Sequence, residues 1–150
     1  MVRGMQCFMQ NDINYFAEKF KLEFNISKRY FAVDEAKAED IMSVCYLEPT
    51  FCFPLEKLLI AGSDTGRIKK YISFIEDMYE NGNEDIKGIV QWVILEYFAG
   101  FDIEIRCRFY KYLSRNLFEA TKEVELYLED IYHKYYPQLT YRLYSAKQGR

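Results

Sequence analysis

Apolar positions along this 150-residue chain fall into helical periods, and one stretch is apolar nearly throughout. Residues 86–98 read IKGIVQWVILEYF, where Ile89, Val90, Trp92, Val93, Ile94, Leu95, Tyr97 and Phe98 leave no polar face. Such a helix has to be covered on most sides. The segments 65–81 and 115–136 are instead amphipathic with period 3.6, which predicts helices packed by one face. The pattern predicts an all-α fold with one buried central helix at about 84–98, wrapped by amphipathic ones.

Cap and turn residues divide the rest. Asn11 is placed to cap a first helix carrying Ile13, Phe16 and Phe20, and Phe24 and Ile26 lead into a loop or short extended piece. Asp34 is placed to cap a second helix, 35–47, with Ala38, Ile41, Met42 and Cys45 inward, ended by Glu48-Pro49-Thr50. Pro54 suits the first position of a short helix closed by Gly62. Ser63 and Asp64 offer a cap for 65–81, where Ile68, Ile72, Ile75 and Tyr79 line one face. Asn81-Gly82-Asn83 is a break, with Gly82 suited to a left-handed C-cap. Asn83 caps the buried helix, and Glu84 and Asp85 complement its dipole in the first turn; Gly100 ends it.

The segment FDIEIRCRF, 101–109, carries a conflict. Phe101, Ile103, Ile105, Cys107 and Phe109 alternate with Asp102, Glu104, Arg106 and Arg108, which is a strand pattern. No second convincing strand exists to pair with it, so a helix is expected. After Ser114 the last long helix carries Leu117, Val124, Leu128, Ile131 and Tyr135 on one stripe, up to Pro137. Residues 138–150 read as a partly ordered tail. No linker divides the chain, so 1–150 is expected to form one domain of stacked antiparallel helical hairpins, HEAT-like in plan but without a strong internal sequence repeat.

Composition adds two things. Aromatic residues make up 18%, with 14 Tyr and 12 Phe, a surplus that suits a filled core or a partner-binding face. The net charge of −3 is unevenly spread: residues 41–100 carry nine acids against five bases, residues 101–150 seven against nine. An acidic middle argues against a nucleic-acid groove there and is compatible with a basic protein partner. The cluster Glu76, Asp77, Tyr79, Glu80, Glu84 and Asp85 around the Asn81-Gly82-Asn83 turn is the candidate patch for docking such a partner. Its plainer reading is a solvated helix–helix corner.

Catalytic chemistry is poorly represented. Cys7, Cys45, Cys52 and Cys107 show no metal-ligand spacing, and read as small buried hydrophobes in a reducing compartment. His133 shares a helix face with Glu129 and Asp130, where a surface ion pair is the simpler use than a metal or general base. Tyr132, Tyr135, Tyr136, Tyr141 and Tyr144 interleave with Lys134, Arg142, Lys147 and Arg150; such a pattern can stack on single-stranded nucleic acid, join a partner interface, or simply dock the last helix. There is no phosphate loop, GxSxG or HExxH. No cofactor, metal or catalytic residue is therefore expected. No apolar run spans a bilayer, and the start MVRGMQCFMQND lacks a signal-like apolar region, so the expectation is a cytoplasmic protein without membrane contact.

Four motifs between Tyr46 and Leu128 carry a family likeness: EPTFCFPLEKLL, RIKKYISFIEDMYENGNEDIKG, IVQWVILEYF and KYLSRNLFEATKEVELYL. Their order resembles small helical bacterial domains of the immunity-protein type, encoded beside secreted toxins of contact-dependent or polymorphic systems. The first forty residues lie outside the likeness, and the alternating FDIEIRCRF departs from it. The resemblance implies a non-enzymatic protein that binds one cognate toxin, such as a basic nuclease, and covers its functional surface. Two other readings remain: a helical-repeat adaptor, and a small carboxylate-dependent hydrolase using His133.

Overall fold

Helix caps and short turns set the architecture. The structure is a computed structural model in which residues 11–24 and 37–148 are described. Among the described residues seven helices follow in order: α1, Ile13–Phe24; α2, Ala38–Ile41; α3, Val44–Leu47 continuing through Glu48–Cys52 into Phe53–Ala61; and α4, Thr65–Asn81. Next come α5, Glu84–Ile89 continuing through Val90–Leu95 into Glu96–Ala99; α6, Ile103–Tyr110; and α7, Arg115–Tyr135. A short 3₁₀ turn, Ser145–Lys147, closes the described chain. Among the described residues there is no strand, only an isolated bridge between Asn11 and Gly82. None of the described helices is long and apolar enough to cross a membrane.

Helix α5 is the hub, touching α3, α4, α6 and α7. Ile86, Val90, Ile94, Leu95, Phe98 and Ala99 are fully buried. The covering is incomplete, because Trp92 stands 39% exposed on the outer side. The alternating segment is helical as expected: Asp102 caps α6 through Ile105 N (3.2 Å), and Phe109 stacks on Phe98 at 4.2 Å. A lone alternating strand would have left its backbone groups unpaired, whereas a helix satisfies them internally.

A second core region joins α1, α3 and α4. Phe20 and Phe24 meet Phe51, Phe74 and Tyr71 with ring centroids 4.8–5.8 Å apart. Burying each such ring contributes about 1.5–3 kcal/mol, plus up to ~1.5 kcal/mol for well-oriented ring pairs. The aromatic surplus is thus largely core.

Several local expectations are corrected. The expected break at Pro49 does not occur; the chain runs on as a π-helical turn, Glu48–Cys52. Proline lacks an N–H and crowds the carbonyl four residues back, and the wider π turn relieves that crowding. The Thr50 hydroxyl donates to Tyr46 O at 2.6 Å, an additional bond within this turn. The helix expected at 35–47 is instead interrupted at Met42 and Ser43, and its proposed cap Asp34 lies outside the described residues, as do Ile26 and Cys7. Asn11 does not cap α1; Asp12 does, accepting from Tyr15 N at 3.1 Å, while Asn11 pairs with the α4–α5 turn. Gly62 takes the left-handed conformation (φ +71°) that closes α3. Gly82 does not: its φ is −83°, and a Cβ there would lie 2.3 Å from Ile86 Cγ2 and 2.4 Å from Met78 O. Glycine is required at that turn for close approach.

The expected tail is folded. Tyr141 is buried and donates its hydroxyl to Ala99 O at 2.6 Å. Residues 138–148 return along α7, held by contacts to Arg106 and Glu125. Tyr135, expected on the buried stripe, is 63% exposed because α7 outruns the core at its C-terminal end. Of the cysteines, Cys52 is buried and Cys107 half-buried, but Cys45 is exposed.

Candidate functional site

The end of α4, the start of α5 and the outer face of α7 converge on one surface. Asn83 fixes the α5 N-terminus by accepting from Ile86 N at 3.0 Å, and Ser114 fixes that of α7 through Leu117 N at 3.3 Å. The six predicted docking residues separate into two groups. Glu76 is turned inward on the structure: its carboxylate accepts from Ser114 N and Ser114 Oγ, each at 2.7 Å, tying α4 to the start of α7. Asp77 is half-buried, ion-paired to Lys19 of α1 and accepting from Asn81 Nδ2 at 2.7 Å. Burial alone would raise its carboxyl pKa, but the bonds from Lys19 and Asn81 outweigh that and hold it below the ordinary range. These two acids join helices.

Tyr79, Glu80, Glu84 and Asp85 remain toward solvent. Glu80 accepts from Asn116 Nδ2 at 3.1 Å, and Glu84 and Asp85 are exposed in the first turn of α5. Tyr79 is half-buried between them; burial first, and then the charges of Glu123, Glu80 and Glu84, push its hydroxyl pKa up. Carboxylates of three helices, α4, α5 and α7, thus act on one tyrosine through their charge.

Residues missed by sequence reasoning extend this surface. Gln91 Nε2 donates to Glu123 Oε1 at 2.6 Å, joining α5 to α7. The next α5 residue, Trp92, meets Tyr127, one α7 turn past Glu123, edge-to-face at 5.3 Å, with 39% and 45% of their surfaces exposed. The surface is thus an acidic–aromatic face with Lys87 as a half-buried basic residue of the same α5 turns. A signal did exist: Glu123 and Tyr127 are i,i+4 on the polar side of α7, and Trp92 is the chain's one tryptophan.

A second polar constellation is fully internal. Glu125, with no solvent exposure, accepts from Arg106 (3.1 Å), Tyr110 Oη (2.8 Å), Tyr144 N (2.7 Å) and Ala146 N (3.2 Å). Arg106 also donates to Phe101 O and Arg142 O and stacks over Tyr141 at 4.5 Å. Burial and the Glu125 charge push the Tyr110 hydroxyl pKa far up. Every named group has a partner, which marks this as the clamp of the C-terminal segment.

The remaining sequence candidates are also placed. His133 lies exposed on α7 near Glu129 and Asp130. Among the described residues no three His, Cys, Asp or Glu side chains are grouped to hold a metal ion. Cys52 is buried, and burial, then Glu48 and Glu56, push its thiol pKa far up. Of the C-terminal tyrosines, Tyr141 is buried against Tyr132 (5.3 Å) and Tyr144 sits near Tyr110, whereas Tyr135 and Tyr136 are exposed. Lys134, Arg142 and Lys147 point to solvent, and Arg150 lies outside the described residues.

The profile of a family described as "Domain of unknown function (DUF7674)" matches residues 13–129, which includes every helix from α1 to α6 and most of α7. No curated protein and no solved structure matches the chain.

Proposed function

The chain belongs to the family described as "Domain of unknown function (DUF7674)", and we propose that it acts as an immunity-type inhibitor, binding a cognate secreted bacterial toxin and covering its functional surface. The observation that carries the reading is the acidic–aromatic face. The charges of Glu80, Glu84 and Glu123 act on Tyr79, and Glu123 stands one α7 turn before Tyr127 of the exposed Trp92–Tyr127 pair, on helices fixed by caps and core packing. Charges at the rim of such a face speed encounter with a basic partner such as a nuclease, and desolvated aromatics set the lifetime of the complex. Rigid helices present these groups with little ordering cost. The inhibitor performs no bond chemistry in this account; it works in the cytoplasm of the toxin-producing lineage by occupying the toxin.

The alternative of a general helical adaptor uses the same face with a different partner. The test is co-expression with the toxin encoded beside this gene. A stable co-purifying complex and rescue of growth support the inhibitor; a complex with another protein and no rescue supports the adaptor. For the hydrolase reading, His133 is exposed in an open depression lined by Leu126, Glu129 and Asp130, and its test is whether the purified protein has a hydrolytic activity that His133→Ala abolishes.

A further inference from the structure

Among the described residues, three places were weighed as ligand sites. The depression lined by Leu59, Gly62, Ile68, Arg108, Lys111 and Tyr112 has two cationic residues. Arg108, however, already donates to Leu59 O and Ile60 O, closing the C-terminal end of α3. The Arg106–Glu125 clamp has every group bonded, so it holds the chain's own C-terminal segment. The corner between α5 and α7 is different, because its aromatic surface is open.

We propose that the Trp92–Tyr127 corner, with Glu123 beside it, seats an arginine side chain of the partner protein. This rests on the reading of the acidic–aromatic face as the docking surface. Trp92 and Tyr127 meet at 75° between ring planes, forming two walls. A guanidinium laid on an aromatic face gains a cation–π attraction, and Trp is the strongest such face. Glu123 is four residues before Tyr127 on α7 and exposed, so its carboxylate borders the same corner. Its Oε1 accepts one hydrogen bond, from Gln91, and a carboxylate has about four lone-pair directions, which leaves capacity for a donor from the partner. The acids Glu80, Glu84 and Glu123 of this face outnumber Lys87, the basic residue of the same α5 turns, which biases the corner towards a cation. Charge complementarity therefore selects a cation, and the two ring walls favour a planar one over a compact ammonium.

Trp92 is the chain's one tryptophan, so its fluorescence reports on this corner directly. The experiment titrates the whole protein at low salt with hexa-arginine, following Trp92 emission and, in parallel, anisotropy of the labelled peptide. Hexalysine and hexaglutamate are comparison peptides. The proposal expects a saturable change in Trp92 emission with hexa-arginine and at least twofold weaker binding of hexalysine. Glu123→Gln and Tyr127→Ala should each weaken binding roughly threefold or more, in line with exposed cation–π and charge contacts, while Glu104→Gln on α6 changes nothing. Circular dichroism of each variant checks that it is folded. Hexa-arginine binding that leaves Trp92 emission unchanged, or is insensitive to both variants, overturns the arginine seat and leaves the acidic face standing. Absence of binding to hexa-arginine altogether overturns both.

Discussion

Replacing Arg106 by Met should unfold much of this domain's margin of stability. Arg106 is 2% exposed and faces a Glu125 that has no exposure. Met fills similar volume but removes the counter-charge and the donor at 3.1 Å, leaving a carboxylate buried with only Tyr110 Oη and two backbone N–H groups. It also strips donors from Phe101 O (2.9 Å) and Arg142 O (2.6 Å). Breaking a buried pair by removing one partner costs about 3–5 kcal/mol. Domains have total stabilities of about 5–15 kcal/mol, so the variant stays folded but with little reserve. At about 2–4 °C per kcal/mol for a chain of this size class, the melting temperature falls by roughly 6–20 °C. Urea unfolding followed by circular dichroism and Trp92 fluorescence measures the change, with an unchanged slope confirming that the end states are comparable. The double variant Arg106→Met, Glu125→Gln separates charge from packing. It should recover at least half the loss, because a neutral amide oxygen still accepts from the 144 and 146 N–H groups. A single-variant cost under ~1 kcal/mol refutes the reasoning, and so does a double variant no better than the single.

Three further outcomes follow from local geometry and titration. Gly82→Ala should destabilise by about 1–3 kcal/mol through overlap with Ile86 and Met78, whereas Gly88→Ala, with open space around its Cβ inside a helix, should stabilise by up to ~1 kcal/mol; chemical denaturation of both reads the contrast. The Asp77 carboxyl, although burial opposes it, is held below its ordinary value of 3.8 by Lys19 and Asn81, so the pair's stability is present above that pH and is lost as pH falls through the depressed value; Asp77→Asn should flatten that acid limb in a series of melts. Glu96 has its pKa raised by burial and by Glu48, so its charged form opposes folding; Glu96→Gln should raise the melting temperature near pH 7, with the gain shrinking as pH falls through the raised value towards 4.5 and wild-type Glu96 protonates.

Local signals in the chain governed how much of this could be read in advance. Helix α4 was legible to the residue because Asp64 accepts from Arg67 N and the Asn-Gly turn follows. The alternating segment at 101–109 resolved as a helix because no partner strand was available. That same alternation hid Arg106, which looked like one of four surface charges. In a helix it shares a stripe with Phe109 and Tyr110, just as Glu125 shares one with Val124 and Leu128. Pro49 misled because the usual rule assumes α geometry, and a π turn escapes it. For the C-terminal segment, docking of its tyrosines on the last helix was among the readings, but its folded path was not legible, since Tyr141 finds Ala99 across 42 residues of sequence and no periodicity encodes that. For the candidate site, the acids between 76 and 85 were visible, but their partners were not. Ser114 and Lys19 claim Glu76 and Asp77 through tertiary contacts, while Glu123, Trp92 and Tyr127 join the face only when α5 and α7 pack.

The proposed function stands on the acidic–aromatic face as the docking surface for a toxin. The proposal predicts a toxin gene beside this one, and the most direct measurement is growth of cells expressing that toxin together with either the wild-type chain or the Glu80→Lys, Glu84→Lys, Glu123→Lys variant, with thermal melts run on both proteins. The account predicts that wild type restores growth, while the charge-reversed variant melts within a few degrees of it and fails to protect. Protection by the variant equal to wild type, or a toxin indifferent to both, would contradict it.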